Sequence, residues 1–402
     1  MGLGQTISRA WDGFTKQRGT GDTPNNLFPS RTPNRVGSVN VSKDTALKTS
    51  AVWSAVALRA GLVSTLPLLI KRSMPDGTVQ RINSPTLQID GIGGTVSLEE
   101  WLYSSQVDLD LMGNAFGLVK QRDPVSGRPT WIQLVDAKSV TVQQRGGVLT
   151  YVYGGEPQDI ADVWHEKQYT MSGLPIGLSP LAYGALSIGQ NMSALDFALR
   201  YFATPGLPTA HLKNTQKTLP AGAVAEIKRR YLASMEERGP FVSGNDWEVD
   251  IKNIAANESQ FLETINASAG DIVRYFGVPG DLVGINATGQ SVTYANITQR
   301  FLGFLVLNLQ PALVRRERKF SRDLLPNKVF AKFDTDELLR LDPSSQAAVF
   351  ATRIASRNLT PDEVRAAYEQ PPLTPEQIEQ MQTLLAALPA PMIPKLPNKP
   401  ED

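Results

Sequence analysis

The sequence predicts an α+β fold, with a mixed domain near the N-terminus followed by long helices around a small insert. Three observations lead there. Over residues 45–175, helix-spaced apolar residues give way to short strand-like runs punctuated by Gly, Pro and Asp. Two long helical patterns, 179–204 and 257–276, flank a mixed segment at 205–256. A third helical pattern, 292–322, contains Pro311.

Residues 1–44 are polar and rich in Gly, Pro, Asn and Ser, so they read as a mobile arm with a candidate short helix at 7–14. Leu47, Ala51, Ala55, Leu58 and Leu62 then recur at helical spacing. Residues 66–71 switch to a strand pattern, Pro75-Asp76-Gly77 signals a turn, and 78–82 return as a hairpin. Ser97 and Glu100 stand at capping-box spacing and open a helix that runs to Met112, where Gly113-Asn114 ends it. The runs 116–122, 131–135, 139–143 and 149–153 predict one antiparallel sheet.

Ser179-Pro180 places a hydroxyl at an N-cap and proline at the first helical position. Leu181, Leu186, Ile188, Leu195, Phe197, Leu199 and Phe202 continue that helix to Ala203, with Gly184 and Gly189 weakening it locally. Pro205-Gly206 and Pro208 close it. Inside the insert, His211-Leu212 suggests a strand, 221–238 a charged helix, and 241–243 and 247–251 two short strands. The next helix has Asn257 and Gln260 at capping-box spacing, and Phe261, Ile265, Ala269, Ile272, Val273 and Phe276 on one face. Gly277 suits the left-handed position that ends a helix, and Pro279 prevents continuation. A loop to Ser291 holds Gly280, Gly284 and Gly289. The helix beyond it carries Tyr294, Ile297, Phe301, Phe304, Leu305 and Leu309, and Pro311 should kink it by removing a backbone donor. Residues 329–333 read as a short strand. Further helices begin near Asp342-Pro343, at Thr360-Pro361-Asp362-Glu363 and at Thr374-Pro375-Glu376-Gln377. The tail from Pro389 has five prolines in fourteen residues and is expected to be extended or disordered.

Composition narrows the chemistry. The 402 residues carry 40 Lys and Arg against 39 Asp and Glu, a net charge of +1. Tight nucleic-acid binding draws on basic side chains at phosphates, so stable DNA binding is disfavoured while passing contact is not. With no cysteine, disulfides, thiolate metal sites and thiol catalysis are removed. Two histidines, His165 and His211, are too few for a histidine metal cluster in one chain. No run is long enough to span a bilayer, and the first residues lack the pattern of a signal peptide.

Residues 284–291 (Gly-Ile-Asn-Ala-Thr-Gly-Gln-Ser) fall one residue short of the phosphate-loop pattern, with Gln290 where the lysine belongs. A helix and a turn precede them, not the strand that feeds such a loop. The match is therefore read as accidental, and a degenerate nucleotide hydrolase stands as the alternative. Gly177-Leu178-Ser179-Pro180 lacks the last glycine of a nucleophile elbow. No catalytic, cofactor or metal residue is assigned. Asp108 and Asp110 read as solvated acids at a helix end. Between residues 311 and 332 there are seven basic residues and two acidic ones. Of these, Arg315, Arg316, Arg318 and Lys319 read first as a solvated helix face and, more sharply, as a subunit contact or a ring of charge around a channel.

Several pieces, taken in order, carry a resemblance. They are Ala51-Val52-Trp53-Ser54-Ala55-Val56 leading to Leu66-Pro67-Leu68, and Leu111-Met112-Gly113-Asn114-Ala115-Phe116. Gly177-Leu178-Ser179-Pro180-Leu181, Tyr201-Phe202 and Gln260-Phe261-Leu262-Glu263 follow. The most telling are Phe276-Gly277-Val278-Pro279 with Leu282-Val283-Gly284 and Tyr294-Ala295-Asn296. Over residues 45–370 the chain resembles the HK97-like phage portal proteins, and order and spacing make the match specific where single pieces do not.

That resemblance implies an α+β portal fold assembled as a ring. It implies a flexible arm at 1–44, an α+β wing at 45–178, stem helices at 179–204 and 257–277, and a small α/β clip at 205–256. A tunnel loop at 278–291, a kinked tunnel helix with a wing return strand at 292–333, a helical crown at 334–388 and a disordered tail at 389–402 complete it. The ring, usually a dodecamer, would sit at the portal vertex of a virion's capsid after assembly in the host cytoplasm, and DNA would be packaged, retained and ejected through it. Implied partners are further copies of the chain, the terminase large subunit, a head–tail adaptor, the major capsid protein with scaffold, and double-stranded DNA passing non-specifically. No cofactor, enzymatic activity or membrane is implied.

On that map Asp281, Leu282, Val283, Ile285, Asn286 and Thr288 would face DNA. Gly277, Pro279, Gly280, Gly284 and Gly289 would be hinges, Pro311 the kink, and Arg315, Arg316, Arg318 and Lys319 the subunit or channel charge. The family often has a second proline where Gly280 stands, and the crown here is short. A channel that conducts DNA must not hold it, and twelve copies of a basic lining would bind phosphates cumulatively, so a mostly apolar loop suits passage. A different head–tail connector ring is the other alternative, although paired stem helices around such an insert are not expected of one.

Overall fold

A computed structural model describes residues 25–27, 39–82, 96–145, 147–203, 210–214, 221–236, 247–251, 258–285, 294–335, 343–368 and 370–387. The chain divides into two units, Met1–Asp334 and Thr335–Asp402.

The first unit begins with β1 (Asn25–Leu27), α1 (Lys43–Ala46), α2 (Ser50–Thr65), β2 (Leu68–Ser73), β3 (Val79–Arg81) and α3 (Leu98–Met112). Six strands follow: β4 (Asn114–Arg122), β5 (Pro129–Val135), β6 (Val140–Arg145), β7 (Val148–Tyr153), β8 (Glu156–Gln158) and β9 (Val163–Lys167). Next come α4 (Pro180–Tyr183), α5 (Ala185–Ala203), β10 (Ala210–Asn214), α6 (Ala221–Glu236), β11 (Trp247–Ile251) and α7 (Glu258–Tyr275). The unit ends with α8 (Tyr294–Phe304), a π-helical turn (Leu305–Leu309), α9 (Gln310–Leu324) and β12 (Val329–Phe333). In the second unit, α10 (Pro343–Ala355), α11 (Pro361–Ala367) and α12 (Pro375–Ala387) follow. The Thr360 and Thr374 boxes both close, with Glu363 and Gln377 accepting the cap N–H at 2.7 and 3.0 Å.

Small residues let α2 lie inside the first unit against α3: Ala51, Val52, Ala55, Ala60 and Val63 are all buried. At the start of α3, Ser97 Oγ accepts the Glu100 N–H, and at its end Gly113 takes φ 69°.

The runs between 116 and 153 do not form the single sheet expected of them. One antiparallel sheet has the order β5-β4-β9 and another β1-β6-β7-β8. The Asp136 side chain accepts the Lys138 N–H at 3.1 Å and caps a tight turn between β5 and β6, so the chain changes sheet there. The third sheet, β12-β2-β3, joins the predicted hairpin to a strand from the far end of the unit, Val329 opposite Arg72.

Parts of the segment expected to be a mobile arm are built into the first unit. β1 pairs with β6, Val41 is fully buried, and Ser42 and Thr45 close a capping box on α1. The candidate helix at 7–14 lies outside the described residues, as do the strand at 241–243 and the tail from Pro389.

The helix expected over 179–204 breaks at Gly184 into α4 and α5, where the ring of Tyr275 packs on the glycine. Asn191 Nδ2 donates to Ser268 Oγ at 2.7 Å. Contact numbers on α7 thus fall as those on α5 rise, so the two helices are antiparallel. Between them in sequence, β10 and β11 form a two-stranded antiparallel sheet, with α6 in the connection. Among the described residues, no helix is long and apolar enough to cross a membrane, and no group of three or more His, Cys, Asp or Glu could hold a metal ion.

Candidate functional site at the loop base

The 278–291 loop starts from a fully formed helix stop. Gly277 takes φ 65°, a left-handed conformation that other residues adopt at a cost, and its N–H donates to Arg274 O at 3.0 Å. The Val278 N–H reaches back to Val273 O at 3.1 Å, completing the Schellman pairing, with both valines buried. Pro279 then opens a 3₁₀ turn, Gly280–Val283. Ile285 N–H donates to Gly280 O at 2.8 Å, and Gly284 is left-handed at φ 78°.

This half of the loop is therefore ordered, and it leans on its own chain. Leu282, Val283 and Ile285 pack against the hydrophobic core. Asp281 Oδ2 lies 2.9 Å from Arg300 Nη1 of α8. Of the residues expected to face DNA, Asp281, Leu282, Val283 and Ile285 are thus each partly buried within the single chain. Asn286, Thr288 and Gly289 lie outside the described residues.

Two of the segments that carried the resemblance, 111–116 and 177–181, meet in a buried polar hub. Asn114 uses its whole amide: Nδ2 donates to Met112 O (2.8 Å) and Gly177 O (2.9 Å), and Oδ1 accepts the Gly177 N–H (2.7 Å). His165 Nε2 donates to the same Oδ1 at 3.0 Å and its Nδ1 accepts the Tyr151 hydroxyl at 3.1 Å, which assigns the neutral Nε2–H tautomer. Burial, then the Lys167 and Lys319 ammoniums, hold this imidazole well below its usual pKa. Gly113 faces the 177–178 backbone so closely that a Cβ would overlap the Leu178 carbonyl. Ser179 Oγ donates to Leu111 O at 2.8 Å while accepting the Ala182 N–H at 3.1 Å, tying the start of α4 to the end of α3.

Charge runs through the same region. Asp108 and Asp110 are not solvated. Asp110 is 1% exposed and its Oδ1 accepts from Arg59 Nε (3.0 Å), Gln106 Nε2 (3.0 Å) and Gln168 Nε2 (3.2 Å). Asp108 pairs with Lys43 at 2.6 Å, and burial pushes its carboxyl pKa up despite that partner. Arg59 Nη1 also donates to Asn308 Oδ1 in the π-turn.

The four basic residues singled out on α9, Arg315, Arg316, Arg318 and Lys319, go four ways. Arg316, 2% exposed, lies 3.0 Å from Glu166 by Nε and donates to Ser105 Oγ (2.6 Å) and Gln106 Oε1 (3.1 Å). Its contact with Glu166 is an ion pair by distance that lacks hydrogen-bond alignment. Arg316 is thus core, which corrects its reading as surface or channel charge. Lys319 lies 4.5 Å over the Trp164 ring and pairs with Asp323 at 2.7 Å. Arg315 is half-buried, and Arg318 lines an open cleft of about 660 Å³ between α9 and β12 with Arg322, Lys328 and Lys332. Pro311 opens α9, and the interruption of the long helix falls just before it, in the π-turn.

Sequence reasoning missed Arg59 and Asn308, read Asp110 as solvated, and took Asn114 only as a helix end and part of a resembling segment. One signal was available for the π-turn, namely the apolar stripe Phe301, Phe304, Leu305 resuming at Leu309, Leu313 and Phe320, one residue out of phase.

Comparison with known proteins agrees with this architecture. Residues 50–368 match the model of the phage portal protein family. The chain is 25% identical over 357 residues to the portal protein of Enterobacteria phage HK97, covering 84% of this chain and 82% of that protein. It is 24% identical over 386 residues to a probable portal protein of Streptomyces phage phiC31, covering 84% and 79%. Among solved structures, it is similar to an HK97-family phage portal protein from Corynebacterium diphtheriae, with a TM-score of 0.59, 21% identity, and 75% and 98% of the two chains covered. A chain in the neck of a native gene transfer agent particle, computed with C12 symmetry, matches with a TM-score of 0.58 at 18% identity over 90% and 99%. The matched span runs from α2 through the hub, the loop base and the long helix to α11, and on that extent the chain belongs to the phage portal protein family.

Proposed function

We propose that the chain assembles into a closed ring, most simply of twelve copies, that lines a DNA channel at the portal vertex of a capsid. Family membership supports the portal role, and the C12 neck of the gene transfer agent relative supports the number. The observation that carries ring assembly is the apolar surface left on α5 and around the π-turn. Leu186, Leu195, Phe197 and Leu199 on α5, and Leu302, Val306 and Leu307 at the end of α8 and in the π-turn, are exposed in a chain that buries even Arg316. Such surface suits a heterologous contact, in which two different faces of each copy meet around a ring.

In this reading residues 45–178 with β12 form the wing, α4–α5 and α7 the stem, and 205–256 the clip that docks the terminase large subunit and later a head–tail adaptor. The major capsid protein and scaffold meet the outside of the ring, which assembles in the host cytoplasm. The second unit is the crown. Asn286 and Thr288 remain the DNA-facing candidates, while 277–285 serve as the loop's footing. The role is structural, without catalysis; a phosphate loop is not favoured, because a 3₁₀ turn and not a strand feeds Gly284.

Native mass measurement tests the assembly. A single species of twelve 43.8 kDa chains is expected. A monomer at every concentration and salt condition, and in co-expression with capsid protein, overturns it. Enlarging the side chains at 286 and 288 should alter packaging or genome retention while rings still form; loss of rings would overturn the loop assignment.

A further inference from the structure

The long helix changes phase in its middle. Upstream, Phe301, Phe304, Leu305 and Asn308 face inward; downstream, Leu309, Leu313, Arg316 and Phe320 do. In an uninterrupted α-helix those two stripes lie about 100° apart, the angle of one residue. The π-turn absorbs the difference. Gln310 N–H donates to Leu305 O, five residues back, and the wider ring lets Val306 and Leu307 bulge into solvent at 57% and 80% exposure. One extra residue is thus stored between α8 and α9.

Asn308 is the residue of that turn that touches both ends of the system. Its Oδ1 accepts from Arg59, whose Nε is anchored on the buried Asp110. Its amide occupies the space that a side chain on Gly277 would fill, beside the stop from which the 278–291 loop departs. The same loop ends where α8 begins. Closing the π-turn to α would rotate α8 by about 100° and shift it about 1.5 Å against α9, withdrawing Asn308 from Arg59 and Gly277.

We propose that Asn308 positions the base of the 278–291 loop, and that the π-turn presenting it is a one-residue register switch between the loop and the wing. The loop's role as a channel constriction gives the switch its use and rests on the proposed function. The arrangement itself does not, and the experiment involves no DNA, so a wrong channel assignment leaves its result standing.

The test is hydrogen–deuterium exchange on the full-length chain, comparing wild type, Asn308→Ala and a deletion of Leu307. In Asn308→Ala, exchange at 278–285 and 304–310 should rise at least tenfold while that of α3 is unchanged. Deleting Leu307 removes the extra residue, so the turn closes with Phe301, Phe304 and Leu305 in phase with Leu309, Leu313, Arg316 and Phe320, and exchange at 304–310 should fall to the level of α9. No change at 278–285 in Asn308→Ala, or an equal rise in α3, overturns the positioning role. A Leu307 deletion that exchanges like wild type at 304–310, or that fails to fold, shows the α register to be inaccessible and overturns the switch.

Discussion

The two halves of the long helix depart from the hydrophobic rule in opposite directions. α9 buries Glu317, and it buries Arg316 against Trp101 and Phe320, which with Trp164 form a cluster of rings 5.9–6.3 Å apart. α8 and the π-turn leave Leu302, Val306 and Leu307 in water. In α9 the departure is resolved inside the chain: Arg316 finds Glu166, Ser105 and Gln106, and Glu317 Oε1 accepts the Phe333 N–H at 2.8 Å. In the π-turn no described residue covers Leu307, which is 80% exposed. Buried charge with partners belongs to the fold, whereas exposed apolar surface calls for another molecule.

The sharpest way to break this contrast is Arg316→Ala. Glu166 would be left buried and unpaired, a loss of about 3–5 kcal/mol, read as a lower urea midpoint. Replacing both members, Arg316→Met with Glu166→Leu, should recover most of that loss, since a buried pair exchanged for apolar side chains is often near neutral. If the double variant is as unstable as the single one, the hydrogen bonds to Ser105 and Gln106 carry the interaction.

A smaller effect depends on pH. His165 is neutral in the fold with its pKa held low, so its contribution is complete above the unfolded-state value of about 6.5 and is lost as pH falls below it. Stability should decline there by at most about 1.4 kcal/mol per pH unit, and His165→Gln should flatten the slope. Unchanged slopes would show that the hub opens without charging the imidazole. The smallest effect on stability belongs to the exposed side. Val306→Lys with Leu307→Lys should move the unfolding midpoint by no more than about 0.5 kcal/mol while preventing ring formation in native mass spectra. Rings that persist would locate the subunit contact elsewhere.

How far the sequence revealed these features follows from the range of the interactions. Caps and stops were legible because their partners lie within one turn: Ser97 with Glu100, Thr360 with Glu363, Gly277 with Arg274. The paired helices around an insert were legible from periodicity and proline stops. Pairs far apart in sequence were not. Asp110 meets Arg59 at a separation of 51 residues and Arg316 meets Gln106 at 210, so acids and bases on helices looked solvated. The split into two sheets turned on one aspartate cap, which a composition-based reading of turns passes over. The loop's inward lean also escaped notice, since Leu282, Val283 and Ile285 could as well have faced a channel.

The pairing of β2 with β12 also constrains synthesis. The strand that completes the N-terminal sheet emerges about 250 residues after its partner, which at about 5–20 residues per second is a delay of roughly 10–50 s. Through that interval β2 has β3 on one side and an open edge on the other, on a ribosome that is still producing subunits built to associate. Each nascent N-terminal sheet must be kept from its neighbours until its own third strand, β12, arrives. Expression at lower temperature or with holdase chaperones should therefore raise the soluble yield more for this chain than for one whose sheet closes locally.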